Sequence, residues 1–261
     1  MSTPHLTPQK LLGNRQLPTD WQAAKVAFVC FTPFPNGFKP YVVETAVSRY
    51  FIHSPNSEVR LCRFSNISFL VISEVYGFAV GATTVEELIH YGVNNIIGIG
   101  YAGAFGGASL GQRFVARSTM SDLPLAAHYG TAAFQPREPT GNLLALLREC
   151  MGQEPWEEYT VWNGNSLYRE YPETITHMRN KGCHIVNMDT LSIYAVAPVC
   201  ARTTGQKISC LYVGTVTDAA EAEAEEWQSD LIEAVDRQQA HPHDELVTFM
   251  VETFLPAVVE R

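Results

Sequence analysis

The chain has 261 residues, of which 46% are hydrophobic and 11% aromatic, and its formal charge is −9. That length and apolar content suit one large α/β domain or two small ones with an ordinary buried core. The negative balance and the lack of any Lys/Arg run argue against nucleic acid as a partner, and no apolar stretch is long enough for a membrane helix.

The first twenty residues are polar and hold three prolines, so residues 1–24 are expected to form an extended arm. Nothing in them resembles a basic-then-apolar leader. Residues 25–261 are then expected to form the domain. Lys25–Thr32 (KVAFVCFT) is a near-continuous apolar run, as a strand covered on both faces requires. Pro33–Gly37 breaks it. Pro40–Phe51 reads as a helix, with Val43, Val47 and Phe51 on one side and Pro40 in its first turn. Ile67–Ile72 reads as a second buried strand, Thr83–Tyr91 as a helix closed by Gly92, and Asn95–Gly100 as a third strand. This alternation predicts a parallel or mixed sheet with helices on its faces.

Gly98, Gly100 and Gly103 match G-x-G-x-x-G behind a strand, and Asp122 follows at about the spacing of a dinucleotide site. A pyrophosphate needs a helix N-terminus directly after the turn, and Ala104–Gly111 is a poor helix. The glycines instead allow either close approach of a small ligand or a tight sheet crossing.

Gln112–Ser118 is a strand, and residues 119–138 read as an irregular loop carrying His128 and Tyr129. Leu143–Cys150 and Pro172–Lys181 read as helices and Tyr159–Asn163 as a strand. From His184 the chain runs as a short strand into a helix, with Met188 and Asp189 at the junction. Asp189 or Thr190 there is either the helix cap or, in an open α/β sheet, a group facing a ligand cleft. Lys207–Val216 is a strong strand ending in Thr217-Asp218, again a carboxylate at a strand end. Ala219–Arg237 reads as an acidic solvated helix and Asp244–Val259 as an amphipathic closing helix. His241 and His243 lack a Cys or carboxylate cluster at ligand spacing, so no metal is expected. The six cysteines, Cys30, Cys62, Cys150, Cys183, Cys200 and Cys210, form no CxxC and read as free thiols of a reducing, cytoplasmic setting.

Three segments together resemble the nucleoside phosphorylase superfamily of the purine nucleoside and uridine phosphorylase type. Ser73–Leu88 (SEVYGFAVGATTVEEL) is similar to the family's glycine-containing turn and helix. Ile97–Gly103 with Leu110-Gly111 is similar to its strand and Gly-rich phosphate loop. Val186–Asp189, with Val213–Asp218 later, resembles its ribose-binding Met-Glu segment and its general acid. The resemblance covers roughly residues 25–260. It implies a single three-layer α/β domain, a central mixed sheet curling into a distorted barrel flanked by helices, and assembly as a dimer or hexamer.

It also implies cleavage of an N-glycosidic bond, with a small-molecule nucleoside as partner and no cofactor beyond phosphate as a possible co-substrate. Asp218 takes the position of the acid, Asp189 and Met188 those of the ribose site, and Tyr168 that of the base-stacking aromatic. Gly100, Tyr101 and Gly103 form the loop beside the acceptor. The presence of Asp218 favours a purine, whose N7 such an acid protonates. Several departures bear on the acceptor. The family's arginine before the loop and Ser or Thr within it stand here as Gly98 and Tyr101, and Asn187 replaces a carboxylate of some purine-cleaving relatives. A dianion needs charge-assisted donors, for which Arg60 and Lys39 are the candidates, with Arg63 an alternative to Arg60. Phosphate and water are both open as acceptors. A nucleoside-binding protein without turnover is the alternative function, and a nicotinamide-dependent oxidoreductase rests on the glycine motif alone.

Overall fold

The computed structural model describes residues 4–152, 156–219, 228–229 and 242–261. The N-terminal segment is not an extended arm. It contains the short helices α1 (Pro8–Leu12) and α2 (Thr19–Gln22), and it buries Leu12, Leu17 and Trp21. Thr7 caps α1 by accepting the Lys10 N–H, and Trp21 Nε1 donates to Glu44 at 2.8 Å. Apolar side chains within the polar stretch therefore outweigh its prolines.

The strands that follow are β1 (Val26–Cys30), β2 (Val42–Thr45), β3 (Val59–Phe64) and β4 (Ile67–Ile72). Helix α3 (Gly77–His90) leads to β5 (Asn95–Ala104) and β6 (Arg113–Met120). Then come α4 (Leu143–Met151), β7 (Glu157–Asn163), α5 (Pro172–Asn180), β8 (Ile185–Asn187), α6 (Thr190–Thr204), β9 (Ser209–Ala219) and β10 (Gln228–Ser229). The chain closes with α7 (Pro242–Phe249), a π-helical turn (Met250–Phe254) and α8 (Leu255–Glu260).

Among the described residues the strands form one mixed sheet in the order β10-β9-β6-β7-β8-β5-β1-β4-β3-β2. An additional β5–β9 pairing closes β5, β8, β7, β6 and β9 into a five-stranded barrel. This is the barrel with flanking helices that the resemblance implied. β1, β4, β5 and β9 run parallel, so their C-terminal ends, where ligands collect in such sheets, share one edge. α3 and α6 pack with the buried residues on one face, including Leu88, Ile96, Leu191 and Tyr212. α4 and the closing helices cover the other with Leu147, Leu246, Phe254 and Leu255. α5 lies over a smaller cluster containing Trp162, Met178 and Val186.

Several elements differ from expectation. Residues 40–51 are not a helix. A 3-10 turn (Asn36–Tyr41) leads into edge strand β2, antiparallel to β3. The fourfold spacing of Val43 and Val47 imitates a helical stripe, yet they are 52% and 84% exposed. β-branched Val42, Val43 and Thr45 fit a pleated strand instead. The Gly98–Gly103 motif is not a loop, because β5 continues through it to Ala104. The 119–138 segment is held down: Thr119 bridges Arg137, and Tyr129 Oη donates to Glu86 of α3 at 2.7 Å. The expected acidic helix over 219–237 lies largely outside the described residues. Those of its residues that are described belong to β9 and β10. His241 also lies outside them. The cysteines are free, and five of the six are buried. Among the described residues no group of His, Cys, Asp and Glu could hold a metal, and no helix is long and apolar enough to cross a membrane.

Candidate active site

The turn from β8 into α6 is built by asparagines. Asn187 Oδ1 accepts the N–H groups of Asp189 (3.2 Å) and Thr190 (3.3 Å), and its Nδ2 donates to Thr190 Oγ1. Asn163, at the end of β7, accepts the Leu191 N–H at 2.9 Å. These bonds occupy orphan donors of the helix start, so neither Asp189 nor Thr190 is its side-chain cap.

Asp189 turns instead toward α3, where its Oδ1 accepts the Gly77 N–H at 3.0 Å. The residue is 8% exposed. Burial raises its carboxyl to about 7, opposed by the Gly77 bond. Met188, beside it, is half-buried.

Around Asp189 the ends of β1, β3 and β4 bring Arg60 together with groups that the sequence did not single out as site residues, Glu58, Ser73 and Tyr76 among them. Ser73 Oγ–H donates to Glu58 at 2.7 Å, and Arg60 reaches both, at 3.5 Å from Glu58 and 3.4 Å from Ser73. The Arg60 guanidinium stacks over Phe34, 3.8 Å from the ring centroid. Tyr76 lies among these groups. Burial, then Glu74, Glu58 and Asp189, push its hydroxyl up to about 12. Glu74 adopts a left-handed backbone with φ of 61°, a conformation that concentrates at functional turns. The tentative anion ligands thus separate. Arg60 stands at this edge with a carboxylate already beside it, whereas Lys39 is exposed on the 3-10 turn.

Gly100 is buried, and a Cβ there would stand 2.0 Å from the Tyr212 hydroxyl. Its smallness serves the crossing of the Tyr212 ring over β5, the second of the two readings of the motif. Tyr101 faces the closing helices. Its ring centroid is 4.6 Å from that of His243, and burial, aided by Asp244, holds its hydroxyl well above the usual tyrosine range. His243 is itself buried, and its Nδ1 lies 3.2 Å from Thr215 Oγ1.

Asp218 pairs in register with Gly103 at a bulge, across from Val186 on β8. Thr217 Oγ1 donates to its Oδ1 at 2.9 Å. A Cβ on Gly103 would lie 2.7 Å from Asp218 Oδ2, so only glycine lets the carboxylate rest across β5. Glu170, from the segment before α5, is a charged neighbour of Asp218. Burial and that neighbour raise its carboxyl to about 7. The sequence carried no periodic or motif signal for Glu170. Tyr168, expected to stack on a base, is 82% exposed, and Leu167 and Tyr171 beside it are also exposed.

The β8 and β9 ends therefore meet across β5, with Asp218 on one side of Gly103 and Val186, three residues before Asp189, on the other. The sequence model of the phosphorylase superfamily matches residues 63–251. The chain belongs to the phosphorylase superfamily. The chain is also 35% identical over 243 residues to "Uncharacterized protein R802" of Acanthamoeba polyphaga mimivirus, covering 92% of this chain and 93% of that protein. The same fold occurs in uridine phosphorylase from Vibrio fischeri, with a TM-score of 0.67, 16% identity, and coverage of 92% of this chain and 93% of that one. It also occurs in the 5'-methylthioadenosine/S-adenosyl homocysteine nucleosidase of Campylobacter jejuni, with a TM-score of 0.65, 15% identity, and coverage of 91% and 100%. A futalosine hydrolase mutant from Helicobacter pylori gives 0.62 at 14% identity, covering 91% and 100%. The solved structures that share this fold thus include a phosphorylase, a nucleosidase and a hydrolase.

Proposed function

We propose that this superfamily member cleaves the N-glycosidic bond of a purine nucleoside, with water as the acceptor. Breaking that bond builds positive charge on the sugar and negative charge on the departing base. Asp218, at the end of β9, delivers a proton to the purine N7. Met188 packs on the ribose, and Asp189 fixes the turn that carries it. What supports water is the state of Arg60. Its charge is met by Glu58, and Ser73 binds the same carboxylate, so this cation beside the strand ends carries an internal anion. A phosphate dianion would have to displace that carboxylate and find further donors. Function within a homo-oligomer, as in the family, belongs to the same reading.

Chromatography of free base released from adenosine, inosine, guanosine and methylthioadenosine, with and without phosphate, tests it. Release is expected without phosphate, and Asp218→Asn should lower it at least about tenfold, the low side of a general-acid contribution. Release that requires phosphate would reverse the acceptor. No release from any nucleoside would leave a binding protein, a role with which the commitment of Asp189 to Gly77 is compatible.

A further inference from the structure

Asp189 directs its carboxylate inward, where Oδ1 accepts the Gly77 N–H and the residue is buried. The same edge of the sheet carries an exposed carboxylate, that of Glu74, on the turn from β4 into α3. Strand ends fix this turn from below. The Ser73 N–H donates to the Glu58 carbonyl at 3.0 Å, the Glu74 N–H to the Thr32 carbonyl at 2.9 Å, and the Val75 N–H to the Cys30 carbonyl at 3.2 Å. Three successive amides are therefore tied to residues at the ends of β1 and β3, and the Asp189–Gly77 bond closes the turn on its far side.

Held this way, Glu74 sits at φ of 61°, a backbone state that a glutamate adopts only where its surroundings compel it. Glycine would suit the turn without strain, so what glutamate adds here is its carboxylate. The Asp189–Gly77 bond also brings Met188 and Tyr76, the residues preceding each partner, to one place on the edge. The Tyr76 ring is half exposed, and of the charges acting on its hydroxyl that of Glu74 is the strongest. Glu58, the other carboxylate of this edge, is already engaged by Arg60 and Ser73.

We propose that Glu74 is the carboxylate that binds the 2′- and 3′-hydroxyls of the sugar. This rests on the glycosidic-cleavage reading, in which Met188 packs on the ribose, and supplies the polar half of that grip. A vicinal diol offers two O–H donors side by side, and one ionised carboxylate accepts both. A carboxylate on a turn fixed by backbone bonds also meets the positive charge growing at C1′ without having to reorganise. A sugar lacking one hydroxyl leaves the carboxylate short of a donor, so Glu74 sets the preference for ribose over deoxyribose.

Equilibrium dialysis of the full chain with formycin A and 2′-deoxyformycin A tests this. Both are purine C-nucleosides, whose carbon–carbon link is not an N-glycosidic bond, so binding is read without turnover. Wild-type protein should bind the ribo compound at least about tenfold more tightly, as one hydrogen bond to a charged group implies. Glu74→Gln should bring the two affinities within about threefold of each other, and so should Glu74→Gly, which suits the left-handed turn if the glutamine variant folds poorly. A preference that survives both Glu74 variants, or one that only Asp189→Asn abolishes, would overturn the assignment. Equal losses on both compounds would reduce Glu74 to a structural role. A Glu74-dependent preference in a protein that releases base from no nucleoside would count against the cleavage reading alone, whereas a wild-type protein that binds neither compound would overturn both.

Discussion

Asp189 Oδ1 accepts the Gly77 N–H at 3.0 Å, tying the turn after β8 to the first residue of α3. Burial takes this carboxyl from 3.8 to about 7. A carboxyl raised on folding gives its full stabilisation below the unfolded value, near pH 4, and loses it as the pH rises through 7. The shift corresponds to at most about 4 kcal/mol. Asp189→Asn keeps an oxygen for Gly77 and removes the buried charge. It should gain about 1–3 kcal/mol at pH 8 and about a quarter as much at pH 4.5, measured by urea unfolding at both. Part of the wild-type slope should persist, because Glu87 and Glu170 are also raised to about 7. An Asn variant with the full wild-type slope would refute the assignment.

Gly100 lies under the Tyr212 hydroxyl, so Gly100→Ala should destabilise by about 1–3 kcal/mol, as overpacking of a filled core does. Tyr212→Phe removes the clashing oxygen. In a double-mutant cycle the Phe change should recover at least half of the alanine loss. Additive losses would show that the strain lies elsewhere.

If Glu58 is the internal anion of Arg60, wild-type protein should gain no thermal stability from millimolar phosphate. Glu58→Gln frees the guanidinium, and its Tm should then rise with phosphate concentration, as linkage to a bound ligand requires. A wild-type Tm that climbs steeply with phosphate would contradict the water reading.

Trp21 is fully buried, with its indole N–H on Glu44 and its ring centroid 5.9 Å from that of Tyr50. Trp21→Ala should cost about 3–5 kcal/mol in denaturant unfolding, like other large aromatic truncations. A loss below 1 kcal/mol would restore the N-terminal segment to the status of an appendage.

The elements most legible in the sequence were the continuous apolar runs of β1, β4, β5 and β9, because strands covered on both faces need no alternation. β3 was hidden by Arg60 and Arg63, which interrupt its apolar run. β2 was misread because Val43 and Val47 repeat at helical spacing while both face outward. Within the candidate site, Asp189 and Asp218 were visible as carboxylates at strand ends. Their settings were not, since these depend on contacts distant in sequence. Gly77 meets Asp189 from 112 residues away, and Glu170 comes from a segment with no regular pattern. The glycine motif was noticed for its spacing, but the bulky Tyr212 on the next strand explains Gly100.

The closing helix widens into a π turn at Met250–Phe254 just before Pro256. Proline has no N–H for the carbonyl four residues back, and its ring crowds that carbonyl, so a wider turn relieves the clash. The turn also accommodates one residue more than regular winding would, while Leu246, Met250, Phe254 and Val258 all stay buried. A lineage that gained or lost a single codon here could thus absorb the change within this turn, without rotating the rest of the helix out of the core.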